Sequence, residues 1–533
     1  MLNPVRGRHG MAVAPHALAS QSALAVLREG GNAVEAMVAA AATIAAAYPH
    51  MNGIGGDSFW LLSLATPEGP RVIGVEGCGA AAQGANHEHF NGQLAIPFRG
   101  PSAALTMAGT VSAWERSLDI AREQLGARLP LSRLLADAID YARHGVPVTA
   151  SQQRSTQAKR AELQGVAGFA ETFLTEGQVP AVGSLFRQPR LADTLEHMAR
   201  HGLADFYHGD LARRMAQELE QLGSPLRLSD FHAHQAIERT PLELQHSHGR
   251  VFNMPPPTQG LVSLMILGIM DRLPGSKADH LSADYVHSAV EAVKQAFKVR
   301  DQHITDPLHM SVDPTSFLRP DALDEMADAI DPQVAAAWGK GKGPADTVWM
   351  GVIDSQGNAV SMIQSIYHEF GSGIVLSDTG VNWQNRGASF SLDPDHINFL
   401  RPGKKPFHTL NPALAHLNDG RTVVYGNMGG DGQPQSQSAV FTRAVVHGMN
   451  PQAAISAPRW LLGRTWGQSS ESLKLEGRFP RSTVQALRER GHDVEMLDDF
   501  DEVCGHAGCA IRHADGSLEG GSDPRSDGAV AAF

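Results

Sequence analysis

One threonine in this chain stands where a nucleophile could be made. Gly339-Lys-Gly-Lys-Gly-Pro-Ala-Asp346 is charged and rich in glycine, and the strand pattern Thr347-Val-Trp-Met-Gly-Val-Ile353 follows it at once. A threonine hydroxyl is a poor nucleophile and needs an adjacent base. Breaking the Asp346–Thr347 bond would supply one on the same residue, because a free α-amino group has a reference pKa of about 8. The chain would first have to attack its own preceding carbonyl through that hydroxyl, and a loop of glycines tolerates the strained backbone this requires. By itself the pattern only nominates Thr347, since most threonines before strands are structural.

Other chemistries find less support. No G-x-S-x-G serine elbow, Walker A loop or H-E-x-x-H zinc helix occurs. Cys504 and Cys509 bracket His506, but no second ligand pair follows at zinc-like spacing. We read these as small residues packed in a turn, and expect no metal and no cofactor. The bend Asn52-Gly-Ile-Gly-Gly-Asp57 follows a helix and precedes a strand, the reverse of a dinucleotide-binding turn. The pairs His87/His89, His232/His234 and His246/His248 share no partner spacing and read as solvated or locally bonded side chains.

The elements that must position Thr347 follow from pattern and punctuation. Gln21 to Glu29 has helical periodicity and stops at Gly30-Gly31. Asn32 with Glu35 forms a capping-box signature for a second, alanine-rich helix from Ala33 to about Ala47. Phe59 to Leu62 is strand-like. Residues 110 to 330 read as mostly helical, for example Ser132 to Ala142 and Ala283 to Val299. Thr347–Ile353, the turn Asp354 to Asn358 and Ala359–Tyr367 read as a β-hairpin. Thr422 to Tyr425 precedes the turn Gly426 to Gly432, and Ala507 to His513 reads as a closing strand. Helices first and paired strands later suggest α+β layers.

Composition sets outer limits. A chain of 533 residues suggests about two to four domains. A net charge of −12 argues against nucleic acid or an anionic membrane as partner, yet leaves room for a small anionic substrate gripped locally. Three cysteines give no disulfide framework and suit a reducing compartment. The first residues lack the apolar run of a secretory signal. Ala36 to Tyr48 falls short of the roughly 20 residues a membrane span needs. A soluble, cytoplasmic protein is expected.

At this point the sequence resembles the γ-glutamyltransferases of the N-terminal nucleophile superfamily. The resemblance runs through His9–Pro15, Glu29–Ala33, Gly53–Gly56, Ala108–Val111, Asp354–Val360, Asn450–Arg459 and Ser522–Arg525, in family order and over nearly the whole chain. It implies a four-layer αββα sandwich of α+β class, self-cleaved into a large subunit (residues 1–346) and a small subunit (residues 347–533) that together form one unit. Whether that heterodimer further forms a homo-oligomer stays open. The resemblance makes Thr347 the catalytic nucleophile, Ser365 a hydroxyl that supports it, and Gly429 and Gly430 the oxyanion hole.

The residues that hold a γ-glutamyl group in the family are mostly replaced. Its arginine position is Cys78, its asparagine position Tyr367, its acidic position falls near Gly387 beside Arg386, and its serine pair reads His408-Thr409. The catalytic parts are kept while the amino-acid clamp is not. Arg386 is our candidate for a substrate carboxylate, with His408, Thr409 and Tyr367 around it, because arginine grips carboxylates with two parallel hydrogen bonds. Gly343–Met350, Gln364–Gly371, Trp383–Arg386 and Lys405–Pro412 are similar to one branch of the family, the bacterial enzymes of purine breakdown that hydrolyse oxamate to oxalate and ammonia. A glutathione hydrolase with a redesigned clamp, an acylase for another small amide, and a processed but inert homologue are the alternatives.

Overall fold

In the computed structural model, which describes residues 3–126, 128–338, 346–463 and 470–533, two seven-stranded sheets lie face to face. The first runs Ala529–Ala532, Gly10–Ala14, Asp346–Asp354, Ala359–Tyr367, Asp57–Leu64, Arg71–Gly77, Ile237–Arg239. The second runs Val5–Gly7, Leu518–Ser522, Ala507–Arg512, Thr422–Asn427, Ala413–Leu417, Gly249–Asn253, Leu242–His246. Neighbouring strands are antiparallel throughout. Both sheets combine strands from either side of the glycine-rich linker, so chain length does not translate into separate domains. The linker itself, residues 339–345, lies outside the described residues.

The period of two along each strand sorts its side chains into layers. In the first sheet Met11, Val13, Phe59, Leu61, Trp349, Ile353 and Ile363 point to the gap between the sheets, where they meet Phe252, Leu414, Val424 and Ala510 of the second. The alternate residues Ala12, Trp60, Leu62, Val348, Met350, Val352 and Met362 face the other way, onto helices Ala17–Arg28 and Ala33–Ala47. On the far side Val423, Tyr425, Cys509 and Ile511 pack on helices Gly260–Arg272, Ala283–His303 and Gly432–Phe441. Helix, sheet, sheet, helix is the four-layer αββα order.

The alanine-rich helix is buried along all fifteen residues, and small side chains are what allow that close approach. Its start is fixed twice. Asn32 Oδ1 accepts from Val34 N and Glu35 N at 3.0 Å each, and Glu35 Oε2 accepts from Asn32 N at 2.9 Å, a full capping box. Asp354, at the hairpin turn, then accepts from Ala33 N at 3.0 Å as well as from Asn358 N and Nδ2 at 3.0 and 2.9 Å. One carboxylate thus closes the turn and caps the helix laid across it.

Several boundaries depart from the sequence reading. Ala507–Arg512 does not close the fold: Leu518–Ser522 and Ala529–Ala532 follow, one in each sheet. Their glycines and alanines have low strand propensity, and pairing overrides it. The helical stretch 110–330 contains the strands Ile237–Arg239, Leu242–His246 and Gly249–Asn253, whose alternating burial at 242–246 is a strand signature. The helix expected over Ser132 to Ala142 divides at Leu135 into Leu131–Leu134 and Ala136–His144. Cys504 lies in a turn, but Cys509 sits inside a strand and packs in the second core.

Trp349 spans the gap between the sheets, its Nε1 donating to Ser361 Oγ at 2.9 Å. Gly351, Gly426 and Gly508 surround the indole, and a Cβ on Gly426 or Gly508 would overlap it. Gly426→Ala should therefore cost about 1–3 kcal/mol by overpacking, read as a lower urea midpoint; an unchanged midpoint would show that the sheets have slack here.

Candidate active site

A register fault in the hairpin places the nucleophile candidate. Asp346 opposes Tyr367, whereas Val348 opposes Gln364. One residue, Thr347, therefore faces two, Ser365 and Ile366, which is the geometry of a β-bulge. The bulge ends at Tyr367, held at φ 83°, a conformation that non-glycine residues rarely adopt. Ser365 Oγ accepts from Tyr367 N at 2.8 Å, tying the turned backbone to its own hydroxyl.

The glycine bend before strand Asp57–Leu64 is explained by what it touches. A Cβ on Gly56 would overlap the Ser365 carbonyl, and one on Gly55 the Asn382 carbonyl. The Gly56 carbonyl accepts from Gly109 N and Thr110 N at 2.8 and 2.9 Å, which accounts for the Ala108–Val111 motif. Asp57 is then the register partner of Ser365.

Thr347 is fully buried, and Gln433 Nε2 donates to its Oγ1 at 3.3 Å. Gln433 lies in the first turn of helix Gly432–Phe441, directly after Gly429-Gly430. These glycines have φ of 118° and 52°, left-handed values that a side chain disfavours. They turn the chain from strand Thr422–Asn427 into the helix, with Gly432 N and Gln433 N donating to the Gly429 and Gly430 carbonyls at 2.8 and 3.1 Å, and backbone N–H groups at such a turn suit a developing negative charge.

Three side chains brace that turn. Gln259 Nε2 donates to the carbonyls of Gly430 and Thr409 at 2.8 and 2.9 Å, joining the glycine turn to the loop that carries His408. Arg300 Nη1 pairs with Asp431 Oδ1 at 3.1 Å. Arg459 Nη1 donates to Asn427 Oδ1 at 3.2 Å, and Asp523 joins Arg459 to Arg525 in a buried network that also takes in Glu476. The motifs around Arg459 and Asp523–Arg525 thus act on the strand leading into the turn.

Beside these residues lies a cluster of buried polar and charged side chains. Arg386 is fully buried; its Nη1 donates to Thr409 Oγ1 at 3.3 Å, and its guanidinium lies 3.9 Å over the Tyr367 ring. Its Nε and Nη2 have no hydrogen-bond partner among the described residues. Burial pulls Arg386 down to about 10, so it stays charged at neutral pH. His408 Nε2 shares a 2.9 Å hydrogen bond with Asp57 Oδ2, and burial holds the imidazole well below its usual pKa, so it is neutral. Asp57 Oδ1 accepts from Gly79 N, Gly109 N and Gln384 Nε2 at 3.2, 3.0 and 3.2 Å. Desolvation still pushes Asp57 up to about 7, against the lowering pull of Arg386. A side chain at Gly387 would collide with Leu105, so no acid fits there.

The fold therefore gathers Thr347, Ser365, Gly429 and Gly430 at one end of the gap between the sheets, with Arg386, Tyr367, His408 and Thr409 as a second group linked to the first through Gln259. Asp57, Gln259, Gln384 and Arg300 were not singled out from sequence. Asp57 had a visible signal, an acid between two glycines and an apolar strand. The others lie in unremarkable helical or loop contexts.

The family model described as Gamma-glutamyltranspeptidase matches residues 19–533. An oxamate amidohydrolase proenzyme from Klebsiella pneumoniae is 61% identical over 525 residues, covering 98% of each chain. A glutathione hydrolase-like proenzyme from Bacillus subtilis is 40% identical over 530 residues, covering 99% of each. A cephalosporin acylase from Bacillus halodurans superposes with a TM-score of 0.91 at 33% identity, over 100% of this chain and 97% of that one. The chain belongs to the gamma-glutamyltranspeptidase family. It is a self-processing amide hydrolase of the N-terminal nucleophile type, made as a single precursor.

Gln259→Ala would leave the Gly430 and Thr409 carbonyls one donor each, Gln433 N and Asn411 Nδ2. Stability should fall by only about 1 kcal/mol, while kcat falls about tenfold or more, because the glycine turn and the loop carrying His408 lose their common anchor. Steady-state kinetics beside thermal melts would check this. A loss of stability with unchanged kcat would mean that the bridge serves folding alone.

Proposed function

We propose that the chain cuts itself between Asp346 and Thr347 and that the freed threonine hydrolyses oxamate to oxalate and ammonia. The observation that carries the substrate reading is the buried guanidinium of Arg386, with two donor atoms unpartnered beside Thr409 and no carboxylate placed to receive an α-amine at Gly387. Oxamate is a carboxylate joined directly to an amide, so it needs an anion grip and no amine pocket. A relative of 61% identity over nearly the whole chain bears the name of that activity.

In this mechanism the Thr347 hydroxyl attacks the amide carbon and its own α-amine takes the proton. Ser365 supports the hydroxyl. The backbone N–H groups of Gly429 and Gly430 stabilise the tetrahedral oxyanion, a contribution of roughly 3 kcal/mol per donor in comparable sites. Ammonia leaves with the proton returned by the α-amine, and water then hydrolyses the oxalyl ester. Arg386 holds the substrate carboxylate, Thr409 and Tyr367 orient the guanidinium, and His408 lines the same pocket. No cofactor enters the scheme.

Three measurements test it. Purified protein should run as two pieces, residues 1–346 and 347–533, and Thr347→Ala should stay whole; an active wild type that remains one chain would remove the mechanism. Oxamate should release ammonia, and γ-glutamyl-p-nitroanilide should release no p-nitroaniline. The reverse preference would favour a glutathione hydrolase, and release only from larger amides an acylase. Arg386→Lys keeps the charge but loses the planar fork, and should lower kcat/KM for oxamate about 10- to 100-fold, the worth of one charged hydrogen bond.

A further inference from the structure

The pocket holds a buried acid as well as a buried base, and their charges cancel before any substrate arrives. We propose that Asp57 is a proton-holding partner of Arg386, so that the site takes up its small anionic ligand together with one proton from solvent, which comes to rest on the Asp57 carboxyl. The proposal rests on the reading above in taking a carboxylate as the ligand of Arg386.

The geometry supports it in three ways. First, a carboxylate placed against Arg386 while Asp57 is ionised would leave one negative charge uncompensated in an enclosed site, which is costly; protonating Asp57 removes that charge. Second, the hydrogen bonds suit a protonated acid. Oδ1 accepts all three N–H donors, from Gly79, Gly109 and Gln384, while Oδ2 makes the single bond to His408 Nε2. An Oδ2–H can donate along that same bond if the imidazole carries its proton on Nδ1. That Nδ1 is buried with no partner among the described residues, so proton uptake turns it from a lone pair into a donor. Third, Asp57 is poised for the change, pushed up to about 7 by burial while Arg386 pulls it down. An anion on Arg386 cancels that pull, and the acid must then hold its proton to higher pH.

The remaining ionisable groups around Asp57 do not compete for this proton. The Cys78 thiol, within 4.8 Å of the Asp57 and His408 polar atoms, is pushed well up by burial and stays neutral. The Tyr207 hydroxyl, on the side of Gly109, is likewise raised by burial. Lys405 is paired with Glu76 on the Arg71–Gly77 strand. A free α-amine has a reference pKa of about 8, so the experiment must separate that of a freed Thr347.

Pyruvate serves as probe: it is isosteric with oxamate, with methyl in place of the amide nitrogen, and is not hydrolysed. Calorimetry of pyruvate binding to the processed enzyme, in buffers of different ionisation enthalpy, should show proton uptake rising from near zero at pH 6 towards one at pH 8. Affinity should fall about tenfold per pH unit above 7. Asp57→Asn retains an oxygen for the three N–H donors and an amide N–H for His408 Nε2, so it imitates the protonated acid. It should bind pyruvate with affinity nearly flat between pH 6 and 8.5, leaving only whatever proton the α-amine takes. An infrared difference spectrum should show a protonated carboxyl band appearing on pyruvate binding to wild type at pH 8, which decides the matter even if the variant fails to fold. Equal proton uptake in wild type and variant, binding without the carboxyl band, or no pyruvate binding at any pH would each overturn the proposal. Ammonia release from oxamate in the same preparation reports separately on the functional reading.

Discussion

A mismatch of one residue between two neighbouring strands governs this site. Because Thr347 faces both Ser365 and Ile366, the hairpin cannot continue as a regular ladder, and the backbone leaves it through the positive φ of Tyr367. Such a kink needs neighbours that force it. They are present: glycines at 55 and 56 press against the carbonyls of Asn382 and Ser365, and Asn385 N donates to the Ile366 carbonyl at 3.2 Å. The same kink that marks the nucleophile candidate carries the Tyr367 ring beneath Arg386. The placement of Thr347 and the stacking of Tyr367 on Arg386 are consequently two outcomes of one local distortion.

The sandwich explains why both groups meet. The strands bearing Thr347 and Asp57 belong to one sheet, and those leading to Gly429 and following Thr409 belong to the other. Side chains at odd positions of Asp57–Leu64 and Asp346–Asp354 enter the gap between the sheets. Where apolar packing stops, at the strand ends, the gap is lined instead by Thr347, Asp57, His408 and Arg386. Electrostatics there is set by enclosure: Arg386, His408 and Asp57 are all fully buried, so each charge depends on another for its stability.

Much of this was legible in the sequence, and the unevenness has physical causes. Strong local signals survived intact: the capping box at Asn32 and Glu35, the turn at Asp354–Asn358, and the helix Ala33–Ala47. Weakly patterned strands did not, because Leu518–Ser522 and Ala529–Ala532 exist only through pairing with distant partners. The residues nominated for the site divide the same way. Thr347, Ser365 and the glycine pair are carried by motif resemblance, and Arg386 by the loss of the family's clamp. Asp57, Gln259 and Arg300 act through contacts to residues far away in sequence, and no local pattern announces such roles.

The last strand has a consequence of its own. Ala529–Ala532 pairs with Gly10–Ala14, and the Phe533 carbonyl accepts from Arg8 N and His9 N at 2.7 Å each. Segments about 500 residues apart in sequence are thus stitched together on one edge of the sheet, and the path of the chain between them comes close to being a ring. A ring can be opened anywhere that its cohesion does not depend on. Sewn shut at this edge by a short connector and opened between residues 346 and 347, the same fold would begin at Thr347 once the initiator methionine was removed.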